Sequence, residues 1–188
     1  MKYNQRIGIC FFLLLLLVAC APMEGPFRKD SRPGFPGQAL FEKAEKKYSQ
    51  QAYPEARRLF EQYLQQYPEA AKAADARFQL GMIQMQVEDF SGARQVFETL
   101  IQQHPDTPAA DRARVETMAA YVNEGRFQAA LDYRRQIPKK RLASHQQARI
   151  DLLAGDAWMA LEQYDNAYES FLRAFERAEK TQQADAGQ

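Results

Sequence analysis

The stretch LLAGDAWMALEQYDNAYESFLRAFERA, residues 152–178, decides the fold of this chain. Its apolar residues recur at spacings of three and four, which is the period of a helix and not of a strand. A small residue, Gly155, lies in the first half, and Ala167 lies near the start of the second half, so that two helix backbones could approach closely. The aromatic ring of Phe171 would fill the space around them. The stretch therefore predicts two antiparallel helices.

The same pattern recurs along the chain every 37 residues. An aromatic residue comes first in each copy, an alanine follows three residues later, and a further aromatic follows four residues after that alanine in three copies of four. These positions are Tyr53, Phe90, Phe127 and Tyr164; Ala56, Ala93, Ala130 and Ala167; and Phe60, Phe97, Arg134 and Phe171. The upstream small residue is Ala44, Gly81 or Gly155, with Met118 as the exception. Neither helix of a unit could bury its apolar stripe alone, so four units should stack into one continuous core.

The breaks between apolar stripes predict eight helices and no strand. Pro54 suits a first helical turn, Pro68 and Pro105 stop helices, Asp89 can cap one, and Gly125 can take a left-handed turn. The predicted helices are 39–51, 54–67, 70–87, 91–103, 108–124, 127–137, 142–161 and 165–180. In the third unit, Arg134 in place of the aromatic and the nearby Pro138 indicate a shortened helix before the basic stretch 139–141.

The order of small residue, aromatic, Ala-x-x-x-Phe and proline resembles the tetratricopeptide repeat, whose usual period is about 34 residues. Three extra residues per period, around YPEAAKAADA (67–76) and HPDTPAADRA (104–113), resemble the variant in bacterial envelope proteins of the BamD type. BamD is the lipoprotein of the outer-membrane barrel-assembly machine, and it has five repeats in a longer chain. The resemblance implies an all-α, right-handed solenoid of about four tetratricopeptide-like hairpins over residues 38–180.

The N-terminal residues predict export and a lipid anchor. A run of 13 uncharged residues, 7–19, follows a short positive segment. Spanning a membrane takes about 20 residues, so the run reads as a signal peptide over residues 1–19. The sequence Leu17-Val18-Ala19-Cys20 resembles the bacterial lipobox, which implies a covalent diacylglycerol and acyl chain (palmitate) on Cys20. Ala21, in place of an aspartate, implies the outer membrane by the same resemblance. The alternative is an uncleaved anchor with a chance cysteine.

Two flanking segments are predicted to lie outside the repeat domain. Residues 20–37 comprise the predicted lipid site, Cys20, and a segment rich in proline and glycine, which predicts a tether. Residues 181–188 are predicted to be a disordered tail.

The charges are almost balanced, with 25 Lys and Arg against 24 Asp and Glu. Because a nucleic-acid binder needs a basic stripe, this balance argues against that class.

No catalytic or metal-binding constellation is present in the sequence. The only histidines, His104 and His145, have no partner at helical spacing, and no CxxC, phosphate loop or activated nucleophile appears. We therefore expect no catalytic residue, no metal site, no small-molecule substrate and no cofactor other than the lipid on Cys20.

If the tetratricopeptide register applies, the first helix of each unit lines a concave groove. Methionines on such a surface suit an extended peptide or a partner helix. The alternative is that tight winding buries these positions as core, and the sequence leaves the two open. The predicted groove residues are Phe41, Tyr48, Phe78, Met82, Met85, Val115, Val122, Leu152 and Met159, with Glu45, Ala119 and Asp156 beside them.

The sequence predicts a non-enzymatic adaptor that binds other envelope proteins from the periplasmic face of the outer membrane. By resemblance, its role is BamD-like, in outer-membrane protein assembly or envelope biogenesis. The first alternative is a regulator or scaffold of a peptidoglycan synthase or of pilus assembly. The second, from another class, is an envelope enzyme. The basic stretch 139–141 is predicted to be either a solvated loop or a contact for lipid headgroups or an acidic partner.

Overall fold

A computed structural model describes residues 34–186, with side chains up to residue 180. It contains eight α-helices and a short 3-10 turn at Lys139–Arg141, and no strand in this part of the chain. The helices are α1 (Gln38–Ser49), α2 (Tyr53–Gln66), α3 (Ala73–Gln86), α4 (Phe90–Gln103), α5 (Pro108–Asn123), α6 (Phe127–Arg134), α7 (Ser144–Ala160) and α8 (Tyr164–Ala186). The predicted signal peptide, Cys20 and most of the tether lie outside the described residues.

The helices form four hairpins, α1/α2, α3/α4, α5/α6 and α7/α8. Each hairpin packs on the next one, through α2 against α3, α4 against α5, and α6 against α7. The first helices of neighbouring hairpins also contact each other, α3 against α5 and α5 against α7. The predicted all-α solenoid of four helix hairpins is therefore confirmed.

Local sequence explains several helix starts. Pro54 in α2 and Pro108 in α5 occupy the first turn, where a missing N–H leaves no hydrogen bond unmade. The Asp89 carboxylate accepts a hydrogen bond from the Gly92 N–H at 2.9 Å, as predicted for a cap, and the Thr107 hydroxyl accepts one from the Ala110 N–H at 3.2 Å.

Each hairpin turns through one residue in the left-handed conformation. The four residues are spaced 37 apart: Gln51 (φ 58°), Glu88 (φ 60°), Gly125 (φ 73°) and Glu162 (φ 59°). In every turn the next N–H reaches back to a carbonyl five residues earlier, as from Ala52 to Lys47 at 3.0 Å and from Asp89 to Gln84 at 2.9 Å. This is the Schellman ending of a helix. The same backbone turn is therefore made with glycine only once.

The small residue of the repeat lets the two helices of a hairpin touch. A Cβ added to Gly81 would lie 2.2 Å from Cε1 of Phe97, and one added to Gly155 would lie 2.3 Å from Cε1 of Phe171. In the first hairpin, Ala44 and Phe60 are both fully buried in the same apolar cluster. The predicted close approach of the two helices is thus present in three of the four hairpins.

The third hairpin departs from this arrangement. Met118 is fully buried where the other hairpins have a small residue. Arg134, in the place of the aromatic, extends to Asp151 of α7, with Nη2 and Oδ1 2.6 Å apart. Helix α6 ends at Arg134, earlier than the predicted residue 137, and Pro138 precedes the 3-10 turn. The third hairpin therefore joins the fourth by an ion pair in addition to apolar contacts.

Two other predicted helix ends differ from the structure by three residues or more. The third helix begins at Ala73 and not at 70, because residues 67–72 form turns, with the Ala70 N–H bonded to the Tyr67 carbonyl at 3.3 Å. The last helix continues to Ala186, so its backbone enters the stretch 181–188. Among the described helices, none has the length and apolar character needed to cross a bilayer.

Candidate protein-binding surface

The predicted groove positions lie on one face of the first helices, and six of their apolar side chains are exposed or half-buried. Leu152 and Met159 of α7 are the most open, at 49% and 47% exposed. Half-buried side chains continue the surface along α1, α3 and α5. We call this surface the first-helix face, and its apolar members are Tyr48, Met82, Met85, Val122, Leu152 and Met159.

The other three predicted groove residues belong to the core, and as members of an open groove they were wrong. Phe41 is buried against Phe60 and Tyr63, with ring centroids 5.6 and 5.3 Å away. Phe78 lies under the Arg112 guanidinium, 4.4 Å from the ring centroid. Val115 is buried in a cluster with residues of α6 and α7. Ala119, beside the predicted groove, is also buried, whereas Glu45 and Asp156 are exposed.

Ion pairs between successive first helices run along the same face. Arg112 of α5 donates to Asp75 of α3, with Nη2 and Oδ1 2.6 Å apart. Arg149 of α7 donates to Glu116 of α5, with Nη2 and Oε2 2.9 Å apart. Arg112 and Arg149 are 37 residues apart, so they occupy equivalent positions. The first-helix face therefore combines apolar side chains with a ladder of alternating charges.

Glu116 is the most enclosed carboxylate of this ladder. Burial raises its pKa, and the neighbouring Arg149 opposes that shift. The Glu116 charge also contributes to the raised pKa of Tyr48, whose main cause is burial of the phenol. Tyr48 of α1 and Glu116 of α5 therefore interact electrostatically.

Three arginines surround the Asp151 carboxylate between the third and fourth hairpins. It is buried in α7 and accepts hydrogen bonds from Arg134 at 2.6 Å and from Arg177 at 3.0 Å. Arg173 lies 3.8 Å away. The periodicity of the sequence did not predict this cluster. The departure of Arg134 from the aromatic pattern was the one available signal.

A cleft of about 710 Å³ opens beside the short helix α6. Helix α6 has 8 residues, whereas α4 has 14, so α6 leaves one side of α4 uncovered. Tyr133 lies in this cleft, and burial raises the pKa of its hydroxyl. The cleft is lined by Glu98, Ile101, Gln102, Arg114, Tyr121, Ala129, Asp132, Tyr133, Gln136, Ile137 and Pro138. Sequence reasoning did not find it.

The remaining predicted features lie apart from the first-helix face or outside the described residues. In the basic stretch, Arg141 pairs with Asp106 and lies 3.6 Å from Asp111, while Lys139 and Lys140 are exposed. The His104 ring accepts a hydrogen bond from Arg77, with the two nitrogens 3.1 Å apart. Within residues 34–180, no group of three His, Cys, Asp or Glu side chains is arranged to hold a metal ion. The predicted lipid site, Cys20, lies outside the described residues.

Comparison with known proteins agrees with this architecture. Residues 47–116 match the tetratricopeptide repeat family. A structure of MamA from Desulfovibrio magneticus RS-1 superposes with a TM-score of 0.62 over 75% of each chain, at 16% identity. Another crystal structure of MamA gives 0.63 over 78% of this chain and 80% of that one, at 15% identity.

A longer match comes from a putative kinesin light chain of Podospora anserina with nearly identical repeats of this type. It covers 94% of this chain and 86% of the other, with a TM-score of 0.62 and 18% identity. No curated protein sequence matches the chain significantly. At these identities, the solved structures establish the fold alone. The described chain is thus a solenoid of tetratricopeptide-type hairpins, with the repeat family recognised over residues 47–116.

Proposed function

We propose that the chain is a non-catalytic adaptor that binds a segment of another protein on its first-helix face. The observation that carries the proposal is the continuity of this face, on which open or half-buried methionine, leucine and tyrosine side chains lie beside a ladder of charges. Methionine adapts its shape to different partners. Tetratricopeptide and similar solenoids use such extended surfaces for binding.

The proposed location is the outer membrane, with the lipid on Cys20 as the anchor and the repeats on the periplasmic side. Support comes from the lipobox-like Leu17-Val18-Ala19-Cys20 and from the resemblance of the 37-residue period to BamD-type envelope proteins. We propose a BamD-like role in outer-membrane protein assembly. The second candidate is a regulator or scaffold of a peptidoglycan synthase or of pilus assembly, which the same surface would serve.

The face is tested best at its most open members. We expect Leu152→Lys with Met159→Lys to abolish capture of the partner by photocrosslinking in envelope extracts, with helical content unchanged. Val87→Lys is the matched control, because Val87 is 52% exposed at the end of α3, outside the predicted groove positions. Met82 and Met85 are poorer test sites because they pack partly against the buried cluster around Phe97. Equal capture by the double variant and the control would contradict the proposal.

The identity of the captured proteins separates the two candidate roles. Recovery of barrel-assembly components supports the BamD-like role. Recovery of a peptidoglycan synthase or a pilus assembly protein supports the regulator instead, while leaving the adaptor proposal intact.

The anchor is tested separately by Cys20→Ser. We expect this variant to move from the membrane fraction to the soluble periplasmic fraction, because two or more acyl chains are what give a durable attachment. Metabolic labelling with a palmitate analogue should mark the unsubstituted chain and not the variant. A variant that stays with the membrane would contradict lipid anchoring.

A further inference from the structure

The last helix carries a stripe of exposed apolar side chains on its outer side. Tyr164, Tyr168, Leu172 and Phe175 of α8 are 61%, 66%, 37% and 65% exposed. They follow each other at helical spacing, so they form one band, which we call the α8 stripe. Single exposed apolar residues are ordinary, whereas a contiguous band marks an interaction surface.

The repeat shows what the positions of the α8 stripe do elsewhere in the chain. Tyr53, 111 residues before Tyr164, bonds through its hydroxyl to Gln86 of the next hairpin at 3.3 Å. Arg94, equivalent to Tyr168, covers the Tyr121 ring of the next hairpin at 4.6 Å and pairs with Glu124. In the first and second hairpins, the positions of Tyr164 and Tyr168 that these two residues occupy therefore contact the following first helix. In α8 they are open, and within the described residues no hairpin follows.

A row of carboxylates runs beside the α8 stripe. Asp165, Glu169 and Glu176 each come one residue after a stripe residue, which places them about 100° further around the helix. All three are exposed. Glu169 also lies 3.8 Å from Arg173 on its far side. A helix that covers the stripe would therefore meet negative charge along one flank.

A second copy of this chain does not fit the surface. In head-to-tail stacking, α1 of one copy would cover α8 of another. However, α1 has exposed Lys43 and Lys46 where α3 has Leu80 and Ile83, which pack on the first hairpin. In a twofold antiparallel pair of α8 helices, equal flanks face each other, so the carboxylate rows would repel.

We propose that the α8 stripe binds an amphipathic helix of another protein, with apolar residues over the stripe and lysine or arginine facing Asp165, Glu169 and Glu176. The contact extends the solenoid by one more helix in the position that a next first helix would occupy. This surface is separate from the first-helix face, so the chain can hold two partners or two segments of one partner.

The test uses the full chain and two designed helical peptides of equal length, one of leucine and lysine and one of leucine and glutamate. Fluorescence anisotropy measures their binding. We expect the lysine peptide to bind and the glutamate peptide to bind at least tenfold more weakly. Tyr168→Ser with Phe175→Ser should weaken binding of the lysine peptide at least tenfold. These residues are exposed, so circular dichroism should show unchanged helical content.

Charge reversal distinguishes the proposed contact from general attraction. Glu169→Lys with Glu176→Lys should reverse the preference in favour of the glutamate peptide. Glu61→Lys with Glu98→Lys, exposed residues on α2 and α4, makes the same change of net charge and should keep the preference for the lysine peptide. Equal effects of the two charge variants would overturn the proposal.

Two further outcomes are decisive. A dimer in sedimentation that disappears with Tyr168→Ser and Phe175→Ser would mean that a second copy occupies the stripe, and it would overturn the proposal. Leu152→Lys with Met159→Lys should leave binding of the lysine peptide unchanged. Loss of partner binding at the first-helix face is therefore distinguishable from loss of peptide binding at the α8 stripe.

Discussion

Single residues fix the turns of this solenoid. Gln51, Glu88 and Glu162 adopt the left-handed conformation that Gly125 adopts in the third hairpin. For a residue with a Cβ, this conformation costs about 1–2 kcal/mol, and only part of that cost is offset by the greater chain entropy that glycine loses on folding.

We therefore expect Glu88→Gly to stabilise the fold by about 0.5–1 kcal/mol, and Gly125→Gln to destabilise it by a similar amount. Urea unfolding of both variants measures the change. Glu98→Gly, in the interior of α4, is the control and should destabilise by about 1 kcal/mol. If Glu88→Gly destabilised the fold as much as Glu98→Gly does, this would contradict backbone strain at Glu88.

A second residue makes stability depend on pH. The pKa of Glu116 is raised by burial in the folded chain. The folded state therefore holds the proton to higher pH than the unfolded state does, so the contribution of Glu116 to stability is present below about pH 4 and decreases as pH rises through the raised value.

We expect Glu116→Gln to remove this dependence. The difference in unfolding free energy between the unsubstituted chain and the variant should change steadily as the pH rises above about 4, to the disadvantage of the unsubstituted chain. Glu55→Gln is a control of opposite sign, because the hydrogen bond from Lys47 lowers the pKa of Glu55. A difference for Glu116→Gln that stays constant with pH would contradict the raised pKa.

At the scale of elements, α6, α7 and α8 are joined through Asp151. Removing a buried carboxylate leaves its arginine partners without a counter-charge, so we expect Asp151→Leu to destabilise the chain by about 3 kcal/mol. Asp151→Leu with Arg134→Leu should recover the part of that loss that comes from Arg134, since an apolar pair can replace a buried ion pair, while Arg173 and Arg177 still lack the carboxylate. Chemical denaturation of the single and double variants measures the coupling. Additive effects would show that the two side chains act independently.

The sequence predicted the elements well, and their contacts less well. The period located eight helices because apolar spacing and proline positions are local signals. It marked Gly125 as a turn but missed Gln51, Glu88 and Glu162, although these lie 74, 37 and 37 residues from Gly125, at the same step of the repeat. It also could not tell core from surface on the first helices. Phe78 and Met82 share a face, but only Phe78 lies under Arg112 of the next hairpin, and that is a contact between units.

Across the whole molecule, the described core divides into three clusters. One joins α1, α2 and α3, the second joins α3, α4 and α5, and the third joins α5, α6 and α7. Each cluster therefore spans a boundary between hairpins and reaches no further than the neighbouring unit. Stability in such an array is the sum of units and of nearest-neighbour contacts.

We therefore expect a destabilising substitution at one end of the array to affect only the helices near it. Gly155→Ala forces the Phe171 ring to move, because the new Cβ would lie 2.3 Å from it. Amide hydrogen exchange should accelerate in α7 and α8, while α1 and α2 keep their protection. Gly81→Ala, in the middle of the array, is the comparison and should affect α3 and α4 most. Equal acceleration in all helices would mean that the array opens as one cooperative unit.

The four Schellman turns have a consequence for how such a chain can change over generations. Each is closed by main-chain bonds at the same step of the repeat, with no requirement for a particular side chain. A duplication or deletion of 37 residues therefore leaves a complete helix-ending turn on both sides of the junction, wherever the ends of the duplicated or deleted segment fall. Recombination can thus lengthen or shorten the array without breaking its geometry, and only the boundary contacts, such as Asp75 with Arg112, would have to adjust afterwards.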